Sequence, residues 1–434
     1  MKIVTTSLFY RLRATLLLAA LIAPTAQALS LREAAELALQ NDPRMRAADQ
    51  AVAVSEANVD VARAGYLPSV SLSGGTGVQK VYLGNNFPAG FPKPDLLNPY
   101  SASLKASQPL YSGGLTSAQM SDSRSRLEGS EQDAVATRQQ LLLAATTAYL
   151  DVVRDRAVVE LNQKNLATLQ QAQDDASKRF EAGEATRTDV AQANARRAEA
   201  EAQLKRANAN AHISDAAFVR VIGVAPQNLG ADWPVPQTPA SLDQALAAAG
   251  LTPSVLAADA QSRSAHAQID AARAALLPQV SLDGGASAQD DSQFALNRYQ
   301  YWQVQLKATL PLYAGGANAA RLSAAHAAAE QADAQASDAQ HAAIQSITQA
   351  WANSEAAADI IASYQASTEA SASALDAVQK ELQVGTRTTL DLLDAERDLL
   401  SAQVNLAASR HDRAVAGYQL LAACGLLHLG DIAP

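Results

Sequence analysis

The chain has 434 residues, of which 48% are hydrophobic, 5% aromatic and 18% charged, with 34 lysines and arginines against 43 aspartates and glutamates. A mean hydropathy of -0.09 excludes a bundle of membrane-spanning helices, and a net charge of -9 argues against nucleic acid as a partner of the whole chain. The single cysteine, Cys424, excludes an internal disulfide framework and a Cys-rich metal site, and six scattered histidines leave little room for a zinc cluster.

Residues 1–28 read as a secretory signal peptide. Lys2, Arg11 and Arg13 form a positive start, Ala14 to Ala23 a short apolar core, and Ala26-Gln27-Ala28 an A-x-A cleavage site. The apolar run is shorter than the roughly 20 residues that a spanning helix needs. Cleavage near Ala28 would leave 31 basic and 43 acidic residues, a net charge of -12, with no cysteine behind the cut to carry lipid. The expectation is an exported protein of a Gram-negative cell.

The rest of the chain is written twice. Arg63-Ala-Gly-Tyr-Leu-Pro-Ser-Val-Ser-Leu-Ser-Gly-Gly75 recurs as Arg273-Ala-Ala-Leu-Leu-Pro-Gln-Val-Ser-Leu-Asp-Gly-Gly285, identical at nine of thirteen positions and offset by 210. Pro109-Leu-Tyr-Ser-Gly-Gly114 recurs as Pro311-Leu-Tyr-Ala-Gly-Gly316, offset by 202, as are the pairs Gly183 and Gly385, Asp189 and Asp391. The change of offset falls in the Gly/Pro/Asn-rich stretch 83–94, which reads as a loop. The expected units are a first repeat over 29–230, a connecting equatorial segment over 231–252, a second repeat over 253–424 and a tail over 425–434.

Each repeat opens with a helical stretch (31–63 and 253–275) that Leu-Pro stops. Alternating segments follow. Val70 and Leu72 alternate with Ser69, Ser71 and Ser73; Ala102, Leu104 and Ala106 alternate with Ser101, Ser103, Lys105 and Ser107. In the second repeat Trp302, Val304, Leu306, Ala308 and Leu310 alternate with Gln303, Gln305, Lys307 and Thr309. A period of two predicts strands with one apolar and one polar face. Proline-free helical stretches come next, 115–182 and 317–384, then a glycine (Gly183, Gly385) and a second helical run, 186–222 and 387–424. Glycine suits a C-cap that turns the chain back, and the threonines after it suit the next N-cap. Helices this long need a coiled-coil partner.

Four half-wetted strands per chain pose a closure problem. If the apolar face meets lipid, open edges cannot be satisfied in hydrocarbon, and membrane barrels begin at about eight strands. Three copies supply twelve. The competing possibility is a soluble periplasmic coiled-coil scaffold in which helices cover the apolar face.

With these residues the chain resembles the TolC family of outer-membrane efflux proteins, over nearly all of its length behind the signal peptide. The resemblance is carried by Val384-Gly-Thr-Arg-Thr-Thr-Leu-Asp-Leu-Leu-Asp-Ala395, by Gly183-Glu-Ala-Thr-Arg-Thr-Asp-Val190 and by the paired Pro-Leu-Tyr-x-Gly-Gly. It implies a mixed α and β membrane protein, a homotrimer whose twelve-stranded barrel in outer-membrane lipid continues as a periplasmic barrel of twelve helices. It further implies a passive duct without catalytic residues or cofactor, docking through a periplasmic adaptor (membrane fusion) protein onto an inner-membrane ABC or RND transporter. The first-repeat tip and the missing lipid cysteine point to the type I protein secretion branch; a multidrug or metal efflux duct is the alternative.

Candidate functional residues follow. Asp391 and Asp394, three apart, share a helix face, and the resemblance makes them an acidic ring at the periplasmic entrance; the plain alternative is that they complement a helix N-terminus. By the family pattern Arg387 would reach Asp189 as a gate salt bridge, against a local pair of Arg387 with Asp391. Leu382 stands where the family often has tyrosine. The tip residues Gly183, Glu184, Thr186, Gly385, Thr386 and Thr388 are the expected adaptor-docking surface. Asn85–Asn98 and Asp290–Asn297 are expected extracellular loops, and Trp302, Tyr299, Tyr301, Tyr111 and Tyr313 candidates for an aromatic belt. Gly74-Gly75-Thr76-Gly77 completes no nucleotide-binding motif. His326 and His341 are expected at the surface and Cys424 in a core.

Overall fold

A computed structural model describes residues 29–80, 96–230, 232–293 and 296–432. The expected signal peptide and most of the expected loop Asn85–Asn98 lie outside the described residues.

Helix α1 (Leu31–Asn41) starts at a capping box in which Ser30 and Glu33 satisfy each other's backbone N–H groups. The expected single stretch 31–63 breaks at Asp42, which ends α1 and caps α2 (Pro43–Ala64). Pro43 lacks the N–H that would continue α1, and the Asp42 carboxylate accepts from the Arg44 N–H at 2.8 Å instead. Strands β1 (Ser69–Thr76), β2 (Gln79–Lys80), β3 (Leu96–Leu97) and β4 (Tyr100–Tyr111) follow, then α3 (Leu115–Glu181) and α4 (Arg187–Ile222). A short α5 (Leu242–Leu246) and a 3-10 turn at Ala249–Leu251 precede the second series: α6 (Pro253–Ala274), β5 (Gln279–Gln293), β6 (Leu296–Thr309), α7 (Ala317–Gln383) and α8 (Thr389–Ala423).

The helices α3 and α7 have 67 residues each, roughly 100 Å at 1.5 Å per residue. Each is flanked by two shorter helices laid end to end. The Asn41 side-chain amide donates to the Ile222 carbonyl at 3.1 Å, so the start of α2 meets the end of α4. In the second repeat a side chain at Gly425 would stand 3.0 Å from Pro253, so the end of α8 meets the start of α6. On α3, residues 141, 148, 155, 162, 169 and 176 are buried; on α8 the buried set includes 393, 400, 407, 414 and 421, and on α4 it includes 193, 200, 207 and 214. A strict seven-residue spacing imposes a left-handed supercoil.

The main core sits where these helices cross. Leu31, Ala34, Ala35 and Ala38 of α1 pack on Leu141–Val153 of α3, Phe218 and Ile222 of α4 and Tyr418 of α8, with Leu427 and Ile432 from the tail. Cys424 lies in a second cluster with Ala245, Ala249, Ile347 and Leu420. His326 and His341 are exposed.

The sheet runs in the order β1-β4-β5-β6, all neighbours antiparallel, while β2 and β3 pair apart from it. The stretch Asp290–Asn297 was expected as a loop. It is mostly strand: β5 reaches Gln293 and β6 resumes at Leu296, because the ladder continues past a register shift after Asp290. The repeats also differ at their second strand. β4 runs through Pro109 to Tyr111, whereas β6 stops at Thr309 and leaves Pro311 to Tyr313 outside it. β4 has β5 to pair with over this stretch; the corresponding edge of β6 has no partner among the described residues.

Candidate functional site: the half-wetted sheet and the helical tips

The register aligns the apolar positions into rows across all four strands. Leu72, Leu104, Ala286 and Trp302 stand in one row; Val70, Ala106, Gly284 and Val304 in the next. Among the described residues nothing covers them: Leu72 is 78% exposed, Trp302 80% and Leu306 67%. The scaffold alternative, with helices over this face, is therefore not what the chain builds. From Leu310 to Trp302 the apolar stretch spans about 20 Å once strands tilt as they do in membrane barrels. At its outer end the Tyr100 hydroxyl donates to Asp290 at 2.5 Å and Arg298 lies 3.6 Å from the same carboxylate. The opposite face carries serine, glutamine, Lys105, Asp283 and Lys307. Alternation puts Tyr299 and Tyr301 on that wetted face, with ring centroids 5.3 Å apart. On the dry face Trp302 is joined by Tyr100 and, past the register shift, by Tyr111 opposite Val280, so the expected belt is corrected at Tyr299 and Tyr301.

At the far end of the helices both tips are built alike. After α3 the Gly183 N–H donates to the Phe180 carbonyl (3.0 Å) and the Glu184 N–H to that of Arg179 (2.8 Å). After α7 the Gly385 N–H reaches Leu382 (3.1 Å) and the Thr386 N–H reaches Glu381 (3.0 Å). These are Schellman closures, with Gly183 at φ 81° and Gly385 at φ 78° as left-handed C′ residues. Thr186 and Thr388 then open α4 and α8 as capping boxes with Asp189 and Asp391. Each carboxylate accepts from its threonine N–H (2.8 and 2.9 Å) and hydroxyl (2.8 Å in both). The backbone bond first, then the hydroxyl, holds both carboxyls below the usual aspartate range.

The expected functional residues therefore meet unexpected partners. Asp391 caps its own helix, as the plain alternative had it. Arg387 donates from Nε to Glu381 Oε2 at 2.8 Å, and neither Asp189 nor Asp391 holds it within the chain. Asp394, on the same helix as Asp391, accepts from Arg196 of α4 at 2.9 Å and lies 3.7 Å from Arg397. Beside this pair Leu393 is buried on Leu169 and Ala200, so the first tip and the second are packed against one another. Sequence reasoning missed Glu381 and Arg196. The first lies six residues from Arg387 across a turn, outside helical pairing rules, and the second 198 residues from Asp394.

A further buried polar group joins the repeats higher up. His411 of α8, its side chain 8% exposed, places Nε2 at 3.0 Å from Asp151 of α3 and Nδ1 at 2.9 Å from Asp412. Arg154 braces Asp151 and Asp155 at 2.8 Å each. Burial lowers the His411 pKa, but the contacts with Asp151 and Asp412 outweigh it and the net shift is upward.

Comparison with known proteins agrees with this architecture. A family model described as "Outer membrane efflux protein" matches residues 34–224 and 242–426. The outer membrane efflux protein BepC of Brucella suis is 30% identical over 390 residues, 89% of this chain and 83% of that protein. The alkaline protease secretion protein AprF of Pseudomonas aeruginosa is 26% identical over 435 residues, 95% of this chain and 88% of that protein. The solved CmeC outer membrane channel of Campylobacter jejuni superposes with a TM-score of 0.82 at 17% identity, covering 91% of this chain and 85% of that one. Duplicated strand–hairpin units, an uncovered apolar sheet face and a family match across both repeats lead to one conclusion: the chain is a non-enzymatic outer-membrane protein of the TolC-like outer membrane efflux protein family.

Proposed function

We propose that three copies close into a twelve-stranded barrel and act as the exit duct of a tripartite export system, with type I protein secretion as the assignment. The observation that carries this reading is a sheet whose apolar face is uncovered and whose outer edges, on β1 and β6, have no partner among the described residues. In lipid such edges must be paired. The similarity to AprF, named for protease secretion, supports the secretion branch, and the similarity to BepC, named for efflux, keeps the efflux duct as the alternative. The tips, with Gly183, Glu184, Thr186, Gly385, Thr386 and Thr388, are the adaptor-docking surface, and an inner-membrane ABC or RND transporter supplies the energy.

The internal duplication sets the register of closure. Within the chain β4 pairs with β5, Ser107 opposite Asp283, and Ser107 donates to Asp283 at 2.6 Å. Shifted by the repeat offsets of 202 and 210, that pair becomes Thr309 on β6 and Ser73 on β1 of a second copy. In this register Leu310 meets Leu72 and Ala308 meets Gly74, apolar on apolar; a slip of one residue would oppose the faces. Cysteines at Ser73 and Thr309 should therefore cross-link into covalent dimers and trimers on oxidation in outer-membrane fractions, while cysteines at Ser71 and Thr309 should not. A chain that stays monomeric and water-soluble would sink the duct.

At the mouth, Asp391 and Asp394 form the entrance ring, and an Arg387–Asp189 gate bridge would have to form between copies, displacing Glu381. Replacing both Asp391 and Asp394 with alanine should shift the permeability ratio away from cations by roughly twofold. Asp391 should carry most of the shift, since Asp394 is offset by Arg196. An unchanged reversal potential in planar bilayers removes both from the entrance.

A further inference from the structure

The wetted face of the sheet holds two cations for which neither the tips nor the closure gives a role. Lys105 on β4 and Lys307 on β6 are repeat counterparts at the offset of 202, and both are exposed. Lys105 stands opposite Gly285 on β5, which has no side chain to meet it, and Lys307 stands opposite Ser281. Among the described residues neither ammonium has a carboxylate within the 4.0 Å of an ion pair. The nearest acid on this face, Asp283, is held by the hydroxyls of Ser107 at 2.6 Å and Ser281 at 3.1 Å. The positions around them are otherwise serine, threonine, glutamine and glycine, so Asp283 is the acid set against the two ammonium groups.

We propose that Lys105 and Lys307 form an anion-collecting collar on the inner wall of the barrel, which favours passage of cargo rich in carboxylates. The inference rests on the closed-duct reading. Two lysines per chain become six around the axis, and because they are repeat counterparts the pseudo-symmetry sets all six at one level. Three Asp283 carboxylates offset half of that charge. Rings of charged side chains set ion preference in pores, with lysine favouring anions. The collar therefore opposes the acidic mouth in sign, and the duct presents carboxylates first and ammonium groups later along the exit path. Its reach depends on salt, since the screening length is about 30 Å at 0.01 M and about 3 Å at 1 M.

The full-length protein in planar bilayers under a potassium chloride gradient tests this. At low salt the K105Q/K307Q variant should lower the chloride-to-potassium permeability ratio roughly threefold, and K105R/K307R should keep the parental ratio. At 1 M salt the difference should vanish. Poly-L-glutamate added to one side should slow current through the parent and the arginine variant and leave the glutamine variant open. Normal conductance with an unchanged ratio in K105Q/K307Q overturns the collar and leaves the duct standing. If the parent gives no conductance and the Ser73/Thr309 cysteine pair gives no cross-link, the duct reading falls and takes the collar with it.

Discussion

Alanine at Gly315 should leave the protomer folded and abolish the trimer, whereas alanine at Gly113 should destabilise the protomer itself. The two glycines are repeat counterparts with the same left-handed backbone, φ 61° and φ 66°. A side chain in that region costs about 1 kcal/mol at either position. The surroundings then separate them. A Cβ on Gly113 would stand 2.8 Å from the Ala274 carbonyl oxygen and 2.9 Å from Leu277 Cβ, and overpacking against backbone adds about 2 kcal/mol. Around Gly315 nothing lies within 4 Å. The repeat counterparts of Ala274 and Leu277 are Ala64 and Leu67, and Leu67 is 59% exposed in the chain alone. Closure of the barrel as proposed would bring Ala64 and Leu67 of a second copy onto Gly315, so the same clash would fall between subunits. Denaturant midpoints should separate G113A from the parent by about 3 kcal/mol. Gel mobility without heating should show G315A as monomer. A G315A trimer as stable as the parent would mean that the seam does not repeat the internal joint.

Protonation of His411 should stabilise the joint between α3 and α8 by turning its 3.0 Å contact with Asp151 into an ion pair. The folded-state pKa lies above that of an ordinary histidine, through Asp151 and Asp412 acting against burial. The native state therefore binds the proton more tightly than the unfolded chain. This contribution is fully present below the unfolded pKa and is lost as pH rises through the folded one. Asp151 is the reciprocal partner: burial raises its pKa, His411 and Arg154 lower it further, and the net shift is downward. Thermal unfolding of the parent should thus move to lower temperature as pH is raised above the ordinary histidine range, and H411Q should flatten that part of the profile. Arg154 stays on Asp151 in H411Q, which keeps the acid paired and the variant foldable. An H411Q profile that still falls over the same range would assign the pH response to other groups.

Much of this fold was legible because its signals are local. Gly183 and Gly385, followed three residues later by Thr186 and Thr388 and then by Asp189 and Asp391, encode a helix stop and a helix start in seven residues each, and the backbone bonds obey them. Strand alternation gave the right faces for Leu72, Leu104 and Trp302 for the same reason. Misreadings arose where partners are distant or shared. Asp42 serves two helices at once, which a pattern of apolar spacing does not reveal. Asp394 finds Arg196 only after two hairpins pack, and His411 finds Asp151 across 260 positions of chain. The tyrosines at 299 and 301 were grouped with Trp302 by their place near a strand end, although parity alone assigns them to the other face.

The end-to-end placement of α4 below the main core has a mechanical consequence. With its root held by Phe218 and Ile222 and its 36 residues reaching to the tip, α4 is a lever arm of about 54 Å. Each degree of tilt at the root displaces the tip by about 1 Å, so a side-chain-sized adjustment near the pivot becomes a movement of a whole residue's width at the mouth. Changes of aperture can then be driven from far away by modest repacking, without melting a single turn.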